Sequence, residues 1–126
     1  MLREALFAKI HYAVVTECTV EYTGSIVIDQ DLLDATGMAV NEKVLIGDCE
    51  NGNRFETYVL PGDRGTGVIG INGAAARLSG IGHRVIILAF CRLTPDELAR
   101  HRPKVIICDA NNRIAETIEY DPPANV

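Results

Sequence analysis

The sequence contains no tryptophan, and aromatic residues make up only 6% of it. A stacking platform for single-stranded nucleic acid needs several exposed rings, so that class is set aside. Positive charge is also short. Twelve Lys and Arg stand against 17 Asp and Glu, a formal net charge of −5. A phosphate backbone demands a basic face, so no nucleic-acid partner is expected. Long hydrophobic runs are missing too. The longest, Val85 to Cys91, falls far short of the roughly 20 residues of a spanning helix. The stretch Met1 to Lys9 lacks the apolar core of a signal peptide. No membrane partner and a cytoplasmic location are therefore expected. The four cysteines, Cys18, Cys49, Cys91 and Cys108, are scattered and form no Cys-x-x-Cys pair. That argues against a zinc knuckle or redox dithiol and for reduced, mostly buried thiols. His-x-x-x-His spacing and clustered carboxylates are absent, so no metal is expected.

What remains is ordinary globular composition: 126 residues, 48% hydrophobic and 23% charged. This fits one domain. Apolar segments are short and turn signals frequent. Strands are expected over Leu6–Tyr12, Val15–Tyr22, Ser25–Ile28, Lys43–Asp48, Arg54–Leu60, Val68–Ile71, Arg84–Leu93, Lys104–Asp109 and Arg113–Glu119. Arg84–Leu93 is apolar almost throughout and reads as buried on both faces. Asn51-Gly52 favours a tight hairpin turn. Asp29 to Gly37 reads as a short helix with acids in its first turn and a glycine stop. Asn72 to Leu78 reads as a helical turn capped by Asn72. Thr94-Pro95-Asp96-Glu97 opens another through a capping box. The fold class is mainly β, a barrel with short helices, because closure removes exposed strand edges. Residues 1–119 form the single domain, and 120–126 are expected to be a flexible tail. His83, His101 and the arginines at 77, 84, 92, 100 and 102 are expected at the surface.

Four segments hold residues that can do chemistry. In Tyr22-Thr23-Gly24-Ser25 the plain reading is a Gly-Ser bend. The chemical reading places the Ser25 hydroxyl beside the Gly24 carbonyl at high effective concentration. Attack moves the acyl group from nitrogen to oxygen. Elimination from that ester cuts the chain and leaves dehydroalanine, which becomes a pyruvoyl group on losing ammonia. Lys9 and His11 share one strand face and either sit solvated or build a polar pocket. Arg54 offers a fork for a carboxylate, Thr57 a donor to an oxyanion and Tyr58 a proton. An exposed strand face would look similar. Asn72-Gly73-Ala74-Ala75 is either a plain helix start or a backbone open to close approach by an anion.

Taken together, Lys9-Ile10-His11, Tyr22-Thr23-Gly24-Ser25, Asn51 to Tyr58 and Ile71 to Arg77 resemble the pyruvoyl-dependent aspartate 1-decarboxylase family of pantothenate synthesis. The resemblance covers Met1 to about Glu119. It implies a double-psi β-barrel and self-cleavage between Gly24 and Ser25. It implies a covalent pyruvoyl cofactor made from Ser25, which forms a Schiff base with L-aspartate. It also implies a homotetramer of cleaved α and β chains with sites at subunit contacts. Tyr58 is the implied proton donor, and Thr57 the implied aid to substrate binding and self-cleavage. Lys9, His11, Tyr22, Arg54, Asn72, Gly73, Ala74 and Ala75 are the implied substrate-binding residues. Tyr12 departs from the family pattern, which often has a basic residue there. Three other readings stand beside this one: a barrel that binds without cleaving itself, the same chemistry on glutamate, and a swapped-barrel transcription regulator.

Overall fold

The computed structural model describes residues 1–123. Nine strands form one sheet: β1 Arg3–Val14, β2 Glu17–Thr19, β3 Ser25–Asp29, β4 Lys43–Asp48, β5 Arg54–Gly62, β6 Ile69–Asn72, β7 Arg84–Leu93, β8 Lys104–Cys108 and β9 Ile114–Glu119. Two short α-helices, α1 Gln30–Thr36 and α2 Pro95–Leu98, and a 3-10 helix, Gly73–Leu78, sit between strands. The mainly β expectation holds. No helix among the described residues is long and apolar enough to cross a membrane.

The strand order is β2-β6-β3-β5-β4-β7-β1-β8-β9. Two departures from simple succession define the topology. The consecutive strands β5 and β6 flank β3, parallel to the first and antiparallel to the second. The consecutive strands β7 and β8 likewise flank β1. These are two psi crossings. Residues 3–19 pair with β7 and β8 along their first part and with β6 along their last. One continuous segment thus supplies strands to both halves of the sheet, whose buried side chains form one hydrophobic cluster.

Alternation explains which side chains enter that core. Ala8 and Ile10 point in while Lys9 and His11 point out. At Tyr12 the backbone takes φ 61°, and the register against β7 slips between Ile10 and Ala13. This bulge returns Ala13 to the interior. Ile10, Ile26, Ile28, Ile46, Ile69, Ile71, Ile87 and Ile106 are fully buried. Each contributes on the order of 2 kcal/mol of apolar transfer.

Several expectations are corrected. The strand expected over Val15–Tyr22 shrinks to Glu17–Thr19. The reason is topological: β2 and β3 lie on opposite sides of β6, so residues 20–24 must turn around its end. The Asn-Gly step does not make a two-residue turn. Asp48 Oδ1 accepts the Glu50 amide and Asn51 Oδ1 the Asn53 amide, both at 2.8 Å. These local bonds hold a longer loop, in which Gly52 alone has positive φ. β7 alternates and buries only Val85, Ile87 and Ala89, because the core lies on one side of it. Of the cysteines only Cys108 is buried, and Cys49 is exposed. Burial pushes the Cys108 thiol up to about 11. Arg84 is half-buried and donates to the Tyr12 carbonyl. His83 pairs with Asp48, and His101 Nε2 lies 2.8 Å from the Leu6 carbonyl.

Helix ends follow their local chemistry. Asp29 caps α1 by accepting from the Asp31 amide, and Gly37 ends it at φ 78°. Thr94 and Glu97 form the full capping box of α2. At the far end of the chain, the Tyr120 amide donates to the Pro103 carbonyl, and Asp121 accepts from Arg102. The last part of the expected tail, residues 124–126, lies outside the described residues.

Asp29 also accepts the amides of Gly65 at 3.0 Å and Gly67 at 2.8 Å, fastening the β5–β6 connection. Gly67 must be glycine, since a Cβ there would lie 2.6 Å from the Asn111 carbonyl oxygen at φ +72°. Burial pushes the Asp29 carboxyl up. The Asp31, Gly67 and Gly65 amides, with Arg113 nearby, outweigh that and hold it below the ordinary range. The unfolded carboxyl takes a proton near pH ~3.9, whereas the folded one refuses it until lower pH. Its stabilisation is complete above that pH and is lost as pH falls through the folded value. The urea midpoint should therefore drop below about pH 4, and Asp29→Asn should make that drop shallower. An unchanged slope in the variant would remove Asp29 from the acid response.

Candidate active site

Ser25 opens β3 and is buried, with 1% of its surface exposed. It stands opposite Asn72 at the end of β6. The Asn72 side-chain amide donates to Ser25 Oγ at 3.4 Å. Asn72 was expected to cap the following helical turn. Its backbone is extended as a cap requires, but its side chain makes no cap bond and serves Ser25 instead. On the other side of β3, Ile26 pairs with Val59 of the parallel strand β5. Tyr58 and Thr57 precede Val59 as Ser25 and Gly24 precede Ile26. Both are half-buried. Ser25 thus has Asn72 opposite it on one side, and on the other side of β3 runs the strand that carries Thr57 and Tyr58.

Gly73 closes the arrangement. Its φ is +77°, and a Cβ there would fall 2.6 Å from Gly24 Cα and 2.9 Å from Gly24 N. Only glycine permits both the conformation and the approach. The main chain entering the 3-10 helix is therefore pressed against the Gly24 backbone. Ala74 is exposed and Ala75 half-buried just beyond it. The Tyr22 carbonyl borders the same spot, 3.3 Å from that Cβ position, while its side chain is largely exposed.

The remaining expected site residues lie further off. Arg54 begins β5, four residues before Tyr58, and is exposed. It makes no ion pair among the described residues. Lys9 and His11 project from the outer face of β1, which β7, β4 and β5 separate from β3. Lys9 Nζ lies 5.3 Å from the Tyr120 ring centre. The His11 ring stacks on Tyr12 at 3.9 Å, and its Nδ1 is buried with no hydrogen-bond partner. Desolvation, then the Lys9 charge, lowers the His11 pKa, which favours the neutral imidazole. Within one chain, Ser25 meets Asn72 and Gly24 meets Gly73, Thr57 and Tyr58 lie on the strand next to β3, and Lys9 and His11 lie on β1, with β7, β4 and β5 between it and β3 in the sheet order.

A buried serine that follows an exposed glycine, in a mainly β sheet with the Asn72 amide on its hydroxyl, defines the candidate site. Comparison with known proteins narrows the class. The family model described as aspartate decarboxylase matches residues 1–115. An aspartate 1-decarboxylase of Neisseria meningitidis serogroup C is 52% identical over 126 residues, covering 100% of this chain and 99% of that protein. One from a Geobacillus species is 51% identical over 122 residues, 97% of this chain and 96% of the relative. One from Caldicellulosiruptor saccharolyticus is 52% identical over 116 residues, 92% and 91% of the two chains. The chain belongs to the aspartate decarboxylase family.

Proposed function

We propose that the chain cuts itself between Gly24 and Ser25 and then releases carbon dioxide from L-aspartate to give β-alanine. The observation that carries this reading is the packing at Gly24. Asn72 donates to Ser25 Oγ, and Gly73 occupies space that only a residue without Cβ leaves for the Gly24 backbone.

The cleavage balances with no added reagent but water. Ser25 Oγ attacks the Gly24 carbonyl carbon, the carbon–nitrogen bond breaks, and an ester forms. Thr57 lies on the strand beside this link and donates to the carbonyl oxygen as it gains charge. Elimination across Cα–Cβ of Ser25 releases the Gly24 carboxylate and leaves dehydroalanine. Water replaces the freed nitrogen, ammonia departs, and a pyruvoyl ketone remains at the head of the longer fragment. The buried serine and the glycine-only approach fit that group. When formed, the ketone supplies the electron sink that decarboxylation needs.

The other residues bind and move a proton. The Arg54 guanidinium holds the carboxylate that is kept, as a planar fork does best. Asn72 and the backbone at Gly73, Ala74 and Ala75 orient the substrate. The Tyr58 hydroxyl delivers the proton to the carbon that loses carbon dioxide. Tyr22 borders the entrance. Lys9 and His11 reach a site only from another copy of the chain. Their outward placement on β1 supports a homotetramer with sites between subunits, and exposed Tyr12 and Ile81 suit such a contact.

Carbon dioxide release from aspartate and from glutamate tests the reading. Release from aspartate is expected, with glutamate a poor substrate. Neither acid reacting would overturn it. Arg54→Ala should self-cleave and melt normally, since the side chain is exposed and unpaired, yet lose on the order of 10²-fold in kcat/KM. Normal kinetics in that variant would take Arg54 out of the site.

A further inference from the structure

One buried carboxylate takes no part in this chemistry, yet it bonds to the loop that leads into Arg54 and to the segment that follows the 3-10 helix. Asp48 ends β4, and its side chain is fully buried. Its Oδ2 accepts from Ser79 Oγ at 2.7 Å and lies 2.8 Å from His83 Nδ1. Its Oδ1 accepts the Glu50 amide at 2.8 Å. Burial pushes this carboxyl up. The bonds from His83, Ser79 and Glu50 outweigh that and keep it low, so Asp48 is a carboxylate in the folded chain.

Two segments meet on Asp48. The loop that begins with it runs through Asn53 directly into Arg54. The segment Ser79–His83 directly follows the 3-10 helix whose first residue lies against Gly24. A second tie reinforces the first: Asn51 Nδ2 and Asn53 Nδ2 both donate to the Leu78 carbonyl, at 3.1 and 3.0 Å. Gly80 lets the imidazole sit close, since a Cβ there would be 3.0 Å from His83 Nε2. The β5–β3–β6 ladder and the Cys49 amide, which donates to the Arg84 carbonyl at 2.8 Å, also hold these parts together, and the Asp48 bonds are the buried side-chain tie at the end where the Arg54 loop meets the segment after the 3-10 helix. A substrate with two carboxylates is gripped at both ends, so that spacing decides which length of acid is bound.

We propose that Asp48, with His83 and Ser79, is a positioning residue that sets the distance between Arg54 and Asn72–Ala75, and thereby the length of acid accepted. The proposal rests on the substrate roles given above to Arg54 and Asn72–Ala75. Asp48→Asn keeps the size and removes an acceptor. Ser79→Ala is the milder change. Asp29→Asn is the control, a second buried carboxylate that touches neither segment.

On self-cleaved protein, Asp48→Asn should raise the KM for aspartate at least about tenfold, hold kcat within about threefold, and shrink the preference for aspartate over glutamate. Ser79→Ala should move both quantities the same way by a smaller factor. Asp29→Asn should lower the melting temperature and change neither. Hydrogen exchange needs no substrate: amides of residues 74–78 should exchange faster in Asp48→Asn than in Asp29→Asn. If the wild-type chain neither cleaves nor releases carbon dioxide, the functional reading fails while the exchange result still judges the clamp. Unchanged KM and preference in Ser79→Ala and Asp48→Asn, or changes matching those of Asp29→Asn, would overturn the proposal. If Asp48→Asn does not fold, Ser79→Ala decides it alone.

Discussion

Ser25→Ala should remain one uncut chain of 126 residues with no detectable carbon dioxide release. No other hydroxyl replaces the one removed, because the neighbouring strands set which atoms face the Gly24 carbonyl. Thr57 lies on a separate strand, and Thr23 precedes the Gly24–Ser25 link instead of following it. The fold should survive. The lost bond is long at 3.4 Å, and its removal leaves the Asn72 amide without that acceptor. Such a loss costs about 1–2 kcal/mol, a fall in melting temperature of roughly 3–8 °C in a chain this size. A cut Ser25→Ala chain would show that another group performs the cleavage.

Tyr58→Phe separates maturation from turnover. The ring is half-buried on β5, and removing its hydroxyl leaves the packing of the strand intact. Self-cleavage should go to completion, since Thr57, Asn72 and Gly73 frame the Gly24–Ser25 link without it. Turnover should fall, because the carbon that loses carbon dioxide then takes its proton from water alone. A positioned acid is worth on the order of 10²–10⁴-fold, so kcat should drop by that factor with KM little changed. A kcat within about threefold of wild type would show that the proton comes from elsewhere.

Where a feature depends on near neighbours, it is legible in the chain. Asp29 and Gly37 bound α1, Thr94 and Glu97 cap α2, and β4 and β5 pair as the hairpin expected across Asn51-Gly52, though through a longer loop. Features that depend on distant partners are not. Nothing near Val15–Tyr22 says that the chain must round the end of β6, whose residues come about 50 positions later. Asn72 before Gly-Ala-Ala-Ala looks like a cap, and only its pairing with Ser25, 47 residues earlier, shows otherwise. His83 beside Gly82 looks like a surface turn residue until Asp48 is found beneath it, 35 residues away. The small residues around Gly24 and Gly73 are visible as composition. Their mutual contact is not, because it arises from the psi crossing that puts β6 beside β3. Lys9 and His11 share a strand face and are implied by the resemblance to bind substrate, and the three strands between β1 and β3 in one chain emerge only from the sheet.

The mass spectrum of the freshly folded, denatured wild-type protein tests the central claim most directly. Two fragments should appear, divided after Gly24, and the larger should begin with a keto acid in place of an amine and react with a carbonyl reagent. A single uncut chain that nonetheless consumes aspartate at full rate would contradict the account.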